Sequence, residues 1–408
     1  MQNQEHIYNT PEYTPLIENQ TNTDPREQAQ TQDYSDKSYT DGYTGSETRD
    51  IWSEGQKVQP VPKSAKSMGG LLVIIALVCV AFIAGSHFGV IFGWLVWLVV
   101  TALIVAGVGM LITNWRVVTI PMPTRTFQIN EHARLVISNG AGKVSIRRGE
   151  EGVVSVAATQ RASGIGINPA SMQVGYDQHG DMLNITSQVA WNILQFGLRS
   201  VDFEITVPAH CDVQLDNGSG SVVVQGANGT FRVRTGSGSI QAHDLQGQIA
   251  MKTGSSRIEA SNLQGRIDLS TGSSRIEAHN LEGQVNLRTG SSRIEVSNVR
   301  GQVTAQTGSG RIEVTRAALA GNSSFKTGSS SITFEGSLDP RGSYEMKTGS
   351  GGINLTLPAE TTFSLDAKTG SGGVHNEFGN KEVGNSPRAR LRLRTGSSAI
   401  RIARDGMS

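Results

Sequence analysis

Four Lys-Thr-Gly strings and one Ser-x-x-Lys string are the residues of this sequence whose types and spacing match known covalent chemistry. In serine β-lactamases such boxes supply a cation and a nucleophilic serine for acyl transfer. The strings begin at Lys252, Lys326, Lys347, Lys368 and Ser323. In that enzyme class the two boxes are separate elements that face one cleft, whereas here they share Lys326. Recurrence at regular spacing is typical of a structural repeat, so we predict no catalytic residue and no enzyme.

Patterns that hold metals or cofactors are missing from the sequence. Calcium-binding β-rolls repeat a G-G-x-G-x-D nonapeptide, and the turns of this chain have Ser, Arg or Ile where that Asp would stand. The eight histidines form neither an H-E-x-x-H motif nor a Cys/His cluster. We therefore predict no metal site and no cofactor. The two cysteines, Cys79 and Cys211, lie in different segments, so no intrachain disulfide is expected.

Two rows of opposite charge, each repeated every 18 residues, form the candidate binding face. They are Arg257, Arg275, Arg293 and Arg311, and Glu259, Glu277, Glu295 and Glu313. Side chains two positions apart on a strand point to the same side, so we expect neighbouring ladders with crosswise pairing. One interpretation is a solvated, self-neutralising surface, because exposed ion pairs contribute only about 0 to 1 kcal/mol each. The other is a strip that docks a cell-wall glycan, a protein or a second copy of the chain.

These charges follow a Gly-Ser turn that occurs ten times and determines the fold class. The copies start at Asn217, Thr235, Thr253, Thr271, Thr289, Thr307, Thr327, Thr348, Thr369 and Thr395. Their spacing is 18 residues five times and then 20, 21, 21 and 26. Such a period indicates a stacked repeat. We predict an all-β protein with a parallel β-solenoid of about ten coils over residues 217–403; a β-sandwich or an antiparallel barrel is the competing fold.

The clearest repeat unit, residues 253–270, reads TGSSRIEASNLQGRIDLS. It contains two amphipathic strands separated by two turns. Identical positions should stack as columns, with Ile258, Leu263 and Ile267 representing three apolar columns of the core. Glycine columns at both corners suit positive φ or close backbone approach. The column of Asp244, Asn262, Asn280 and Asn298 suits a left-handed bend.

Residues 117–216 contain related but less regular β patterns, and we expect them to form the solenoid's first, degenerate coils and its cap. Residues 201–240 read VDFEITVPAHCDVQLDNGSGSVVVQGANGTFRVRTGSGSI. This segment resembles the bacterial putative-adhesin domain family of unknown function, and the resemblance extends over about residues 130–403. It implies a repeat architecture and surface adhesion, but transfers no catalytic or ligand residue. Family members are often attached to membrane segments.

Residues 71–112 contain no Asp, Glu, Lys or Arg. One helix of that length would span about 63 Å, twice a hydrocarbon layer of about 30 Å. We therefore expect a transmembrane hairpin within residues 69–113, with helices at about 69–85 and 88–112, and a multi-pass cell-membrane protein in contact with the lipid bilayer. Flanking lysines and arginines place the solenoid in the cytoplasm, whereas the family resemblance implies an extracellular position. Both orientations stay open.

Residues 1–67 are polar and should form a disordered tail. The formal net charge of +1 argues against a nucleic-acid partner, which would need a basic face. Two function classes follow. The first is a membrane-anchored, non-enzymatic binding module, adhesin-like or a cell-envelope accessory, that displays the Arg/Glu face. The second is a membrane-attached scaffold similar to cytoplasmic β-solenoid filament proteins; a β-helix polysaccharide-active enzyme is a lesser alternative.

Overall fold

The computed structural model describes residues 90–113, 116–129, 132–165, 172–189 and 196–406. These residues contain one helix, α1 (Val90–Thr113), and 25 strands that belong to one hydrogen-bonded sheet. The tail predicted for residues 1–67 lies outside the described residues.

The sequence-based prediction of two transmembrane helices is wrong. The predicted second pass coincides with α1, and the first pass, residues 69–85, lies outside the described residues. Among the helices that the structure describes, none combines the length and apolarity needed to cross a membrane. The helical hairpin, the multi-pass localisation and the bilayer contact are corrected accordingly. The prediction failed because a run without charges does not by itself specify how many helices form or where they end.

The strands have the following bounds. Those of the N-terminal part are β1 (Arg116–Pro121), β2 (Arg125–Gln128), β3 (Ala133–Ala141), β4 (Val144–Arg148), β5 (Val153–Ile165), β6 (Met172–His179), β7 (Met182–Val189), β8 (Phe196–Val207), β9 (Cys211–Ser219) and β10 (Val222–Gln225). Those of the regular repeat are β11 (Asn228–Thr235), β12 (Ile240–Thr253), β13 (Ile258–Thr271), β14 (Ile276–Thr289) and β15 (Ile294–Thr307). Those of the C-terminal part are β16 (Ile312–Leu319), β17 (Asn322–Thr327), β18 (Ile332–Leu338), β19 (Ser343–Thr348), β20 (Ile353–Pro358), β21 (Phe363–Thr369), β22 (Val374–Asn376), β23 (Glu382–Val383), β24 (Ala389–Thr395) and β25 (Ile400–Asp405).

Strands β12 to β15 form a parallel β-solenoid in which equivalent residues pair. Ile240 pairs with Ile258, and the same position continues through Ile276 and Ile294. This register extends through the C-terminal coils, where β16 pairs with β18 and β17 with β19. The predicted parallel stacking is confirmed, and the antiparallel alternatives are excluded for these coils.

Each regular coil contains one bent strand of 14 residues instead of the two strands predicted. In β13 the first bend lies at Asn262, with φ of 55°, and the second at Gly265, with φ of 118°. Pairing resumes between the bends at Leu263, because each bend turns the chain without ending the ladder. Three faces result, which we define by the β13 numbering as the first (257–261), second (263–264) and third (266–271) face. The prediction that the Asn column occupies a left-handed bend is confirmed.

The core lies between the three faces and is built from stacked side chains of the same kind. Ile258, Leu263 and Ile267 are each at most 1% exposed, and their equivalents in neighbouring coils are also buried. Alternation along the strand places Glu259 and Asp268 outward between these buried positions. The three apolar columns predicted from the sequence are therefore confirmed.

Buried threonines form a further column that joins one coil to the next. The Thr307 hydroxyl accepts a hydrogen bond from the amide of Gly310 at 3.1 Å and donates one to the carbonyl of Ser292, in the preceding corner, at 3.0 Å. The equivalent hydroxyls of Thr253, Thr271 and Thr395 also donate to a carbonyl of an adjacent corner. The Thr307 hydroxyl thus closes its own turn, and all four hydroxyls connect their turn to a neighbour.

At the N-terminal end the coils do not follow chain order. Strand β3 lies between β7 and β9, and β4 lies between β8 and β10, all in parallel. Strands β5 and β6 then pair antiparallel with β8 and β7, and β1 and β2 pair with β5. Antiparallel strands therefore cover the outer edge. They occupy the segment 117–216 for which the sequence predicted degenerate coils, and the domain boundaries given there stay a prediction.

The C-terminal end has the same kind of insertion. The last strands of the chain, β24 and β25, lie between β19–β20 on one side and β21–β22 on the other. Strand β23 pairs antiparallel with Phe363 and Ser364 at the start of β21. Phe378, from the loop between β22 and β23, packs edge-on against Phe363 with ring centroids 5.1 Å apart.

We predict that Thr307→Val destabilises the protein by about 1 to 3 kcal/mol, because it leaves the Gly310 amide and the Ser292 carbonyl without the hydroxyl that bonds both. The matched control is Thr304→Val in the same strand, where the side chain points outward, and its effect should stay within about 0.5 kcal/mol. The measurement is the free energy of unfolding in urea. Equal effects of the two substitutions would contradict the inward threonine column.

Candidate functional site

The Arg and Glu residues predicted as a binding face lie together on the first face of consecutive coils. Three of the arginines follow a Thr-Gly-Ser-Ser corner and Arg311 follows Thr-Gly-Ser-Gly; the glutamate comes two residues later on the same side of the strand. Arg257 Nη1 lies 2.7 Å from Glu259 Oε1. The same pair recurs at 2.6 Å in Arg275–Glu277 and in Arg293–Glu295.

The pairs connect the arginine ladder to the glutamate ladder within one coil, which is the crosswise pairing of opposite ladders that the sequence predicted. The i, i+2 spacing brings guanidinium and carboxylate to one side of one strand at hydrogen-bonding distance, and the short reach favours the partner in the same coil. In the fourth coil Arg311 and Glu313 make no ion pair with any residue that the structure describes. The structure therefore brings six of the eight predicted residues into direct contact and leaves the last two separate.

Glu259 of this face is held in its ionised form. The side-chain hydrogen bond from Gln241 and that from Arg257 lower the pKa of Glu259. Gln241 Nε2 donates to Glu259 Oε2 at 2.9 Å, while Arg257 bonds the other oxygen. The hydrogen bond to Glu277 and its charge, with that of Glu295 in the next coil, raise the pKa of Arg275. The Glu259 carboxylate and the Arg275 guanidinium therefore stay charged at neutral pH.

A ladder of amide side chains runs beside the charged strip at the first bend. Asn262 Nδ2 donates to Asp244 Oδ1 at 2.7 Å, and Asn280 donates to Asn262 at 2.8 Å. Asn298 continues the ladder with a bond of 2.7 Å to Asn280. These bonds hold the bends of four coils in register, so the Arg–Glu pairs next to them repeat with the same orientation.

The Lys-Thr-Gly strings do not form a catalytic site, because their side chains point to opposite sides of the strand. Lys326 is exposed, whereas Thr327 is buried and donates to the Gly310 carbonyl. Ser323, the start of the Ser-x-x-Lys string, is also buried and accepts a hydrogen bond from the Val303 amide at 3.0 Å. A nucleophilic serine and its cationic partner are therefore separated by the sheet.

The Lys-Thr-Gly strings also indicate a positively charged surface, which the sequence analysis did not identify. A cation immediately before an inward threonine must point outward on the third face. Lys252, Arg288 and Lys347 are examples, and all three are exposed. The sequence reasoning missed this row because the polar threonine was assigned to a turn and not to the interior.

We predict that Gln241→Ala raises the pKa of Glu259 toward its ordinary value of 4.5, since the hydrogen bond from Gln241 is the largest cause of the lowered value. A carboxylate with a lowered pKa stabilises the fold above pH 4.5, and this contribution is lost as the pH falls through the lowered pKa. The variant should lose its contribution at a higher pH than the wild type. A carbon-detected NMR titration of the Glu259 carboxyl measures the change, and an unchanged midpoint would contradict the assigned bond.

The comparisons with known proteins concern the solenoid. The family model Toastrack DUF4097 matches residues 132–339. A structure from Clostridium sporogenes described as a "putative cell adhesion protein" is 12% identical, with 69% of this chain and 99% of that chain covered and a TM-score of 0.18. A "putative adhesin" from Bacteroides fragilis is 13% identical, with 70% and 97% covered and a TM-score of 0.26. One from Parabacteroides merdae is 10% identical, with 69% and 95% covered and a TM-score of 0.22.

No curated protein matches the chain. The family model covers slightly more than half of it, and the matched segment begins at His132, just before β3, and ends at Asp339, just after β18. It therefore includes the three Arg–Glu pairs and the coils on either side of them. On this match, the chain belongs to the Toastrack DUF4097 family.

Proposed function

We propose that this protein is a non-enzymatic binding module, adhesin-like or an accessory of the cell envelope, and that the Arg–Glu strip on the first face is its binding surface. The observation that carries the proposal is the identical ion pair in three consecutive coils, between Arg257 and Glu259, Arg275 and Glu277, and Arg293 and Glu295. At a strand spacing of about 4.8 Å these pairs present the same chemical groups at a fixed repeat. A repeating surface of this kind suits a repeating partner.

Each pair keeps both donors and acceptors available to a ligand. Arg275 uses Nη1 to bond Glu277 Oε1, which leaves the N–H groups on its Nε and Nη2 atoms. Glu277 Oε2 has no hydrogen-bond partner among the described residues, and the same holds for Glu295 Oε2. A hydroxyl group can donate to such a carboxylate oxygen and accept from the neighbouring guanidinium.

This combination favours a hydroxyl-rich polymer, such as a cell-wall glycan, over a protein or a second copy of the chain. The strip is electrically balanced, so recognition would depend on hydrogen bonds and not on net charge. Single contacts at an exposed site are weak, but successive contacts along one polymer reinforce each other because the later ones are intramolecular. Several coils would therefore have to engage one glycan strand together.

The N-terminal end of the solenoid supports a finite module over a scaffold that polymerises end to end. End-to-end growth needs a terminal coil whose backbone edge is free, and β5 and β6 occupy the outer edges of β8 and β7. A polysaccharide-active enzyme needs an irregular group of carboxylates in a cleft, whereas the carboxylates of the strip recur at one position of each coil. Both features point to binding without chemistry.

The test is co-sedimentation with insoluble peptidoglycan from which anionic polymers have been removed. We expect Arg275→Gln with Arg293→Gln to weaken binding about tenfold or more, because two adjacent pairs lose their charged donors. The control is Arg300→Gln with Arg316→Gln, which changes the net charge equally at exposed positions outside the strip. Thermal unfolding of both variants establishes that the fold is kept. Unchanged binding by the strip variant, or an equal loss in the control, would refute the strip as the binding surface.

A further inference from the structure

The outward side of the third face carries a row of cations that the near-zero net charge of the chain conceals. The row occupies the position before each threonine of the inward column, and strand register brings its members side by side from β11 to β21. Seven of the nine neighbouring coils have a cation there: Arg234, Lys252, Arg288, Lys326, Lys347, Arg394 and Lys368. The other two have Ser270 and Gln306, and Asp216 precedes the row on β9.

The rest of this face strengthens the positive charge. The two outward positions before the row add four arginines: Arg232, Arg266, Arg390 and Arg392. They also add three carboxylates, of Asp268, Glu345 and Asp366. From β11 to β21 the third face therefore has eleven cations and three carboxylates, whereas the Arg–Glu strip on the first face is balanced.

The carboxylates on this face leave most of its cations free. Glu345 binds Lys326 Nζ at 2.7 Å, and Asp366 bonds Arg394. The hydrogen bond from Lys326, together with the charges of Lys326, Arg392 and Lys347, lowers the pKa of Glu345. Five members of the row make no ion pair with a residue in the described ranges: Arg234, Lys252, Arg288, Lys347 and Lys368. Neighbouring like charges about 4.8 Å apart repel one another, and a bound polyanion would relieve this repulsion.

A shallow cleft in the middle of the face supplies hydrogen-bonding groups between the cations. Its volume is about 280 Å³, and it lies across β13, β14 and β15. Arg266 and Arg288 line it together with the side chains of Gln284, Asn286 and Thr304. The Asp268 carboxylate also lines it and accepts a hydrogen bond from Asn286 Nδ2 at 3.0 Å. The volume is slightly below that of pockets which enclose small molecules, so the cleft suits one contact point on a longer ligand. Amide and hydroxyl groups beside guanidinium groups match the hydroxyls and acidic groups of a sugar.

We propose that the third face binds a linear acidic polysaccharide along the row of cations, with the cleft at Arg266 and Arg288 as a sugar contact. A single-stranded nucleic acid is the less suitable polyanion, because the three outward rows from β11 to β21 contain no aromatic side chain on which bases could stack. The row extends over about 38 Å, eight strand spacings, and so matches an extended polymer better than a single small anion. The inference does not depend on the function proposed for the Arg–Glu strip.

The experiment measures fluorescence anisotropy of labelled heparin oligosaccharides of increasing length with the full chain. Affinity should increase with length until the oligosaccharide spans the row, and it should decrease steeply as salt is added, because binding releases counterions. We expect Lys252→Gln, Arg288→Gln and Lys347→Gln together to weaken binding by about tenfold or more. A neutral dextran oligosaccharide should not bind.

The matched control replaces Arg300, Arg316 and Arg401 by Gln, which changes the net charge by the same amount at exposed positions outside the third face. Its affinity for heparin should stay within about twofold of the wild type, because the row is intact. Equal losses in both triple variants would show that attraction depends only on total charge, and would overturn the proposal. Binding of oligothymidylate as tight as that of heparin of equal length would also overturn it, in favour of a nucleic-acid site. Either result would leave the peptidoglycan test of the Arg–Glu strip unaffected.

Discussion

Close contact between the backbones of successive corners is the constraint on which the rest of this structure depends. A Cβ atom at Gly272 would lie 2.1 Å from the carbonyl oxygen of Gly254, and one at Gly290 would lie 2.2 Å from that of Gly272. Only glycine fits such a position, because no side chain can rotate a Cβ away from the backbone below it. The Gly290 amide instead bonds the Gly272 carbonyl at 2.9 Å. Once the corners stack in this way, every other residue of a coil must lie over its equivalent.

Because equivalent residues of successive coils lie over one another, each position needs a residue type that can contact a copy of itself. Isoleucine and leucine do so by packing, asparagine by donating to the asparagine below it, and threonine by bonding a carbonyl of the adjacent corner. Charged residues do not, and the two charged faces deal with this in different ways. On the first face the arginines of three consecutive coils are each neutralised by a glutamate two residues later in the same coil. On the third face most cations of the row have no such partner, which is why that face is the more dependent on an external anion.

Much of the repeat could be predicted from the sequence because the periodicity carried the information. The apolar columns and the left-handed bend at Asn262 followed from residue type and spacing alone. The single bent strand per coil did not, because residues 263–264 are too short to register as a separate strand. The charge of the third face was equally hidden. The cations of this face point outward because Thr253 and its equivalents point inward. The sequence does not indicate that a polar threonine points inward, because its hydrogen-bond partners are known only from the structure.

The order of coils at the two ends also could not be predicted from periodicity, although it matters for both binding surfaces. In a solenoid each coil is stabilised mainly by its neighbours, so a terminal coil that is also a chain end would separate first. Here the last strands of the chain, β24 and β25, have a parallel partner on each side. Releasing them requires breaking two ladders at once, and β3 and β4 are held in the same way at the other end. Arg394 and Lys347 are consequently fixed in register far from the middle of the solenoid, and the row of cations keeps its spacing over its whole length.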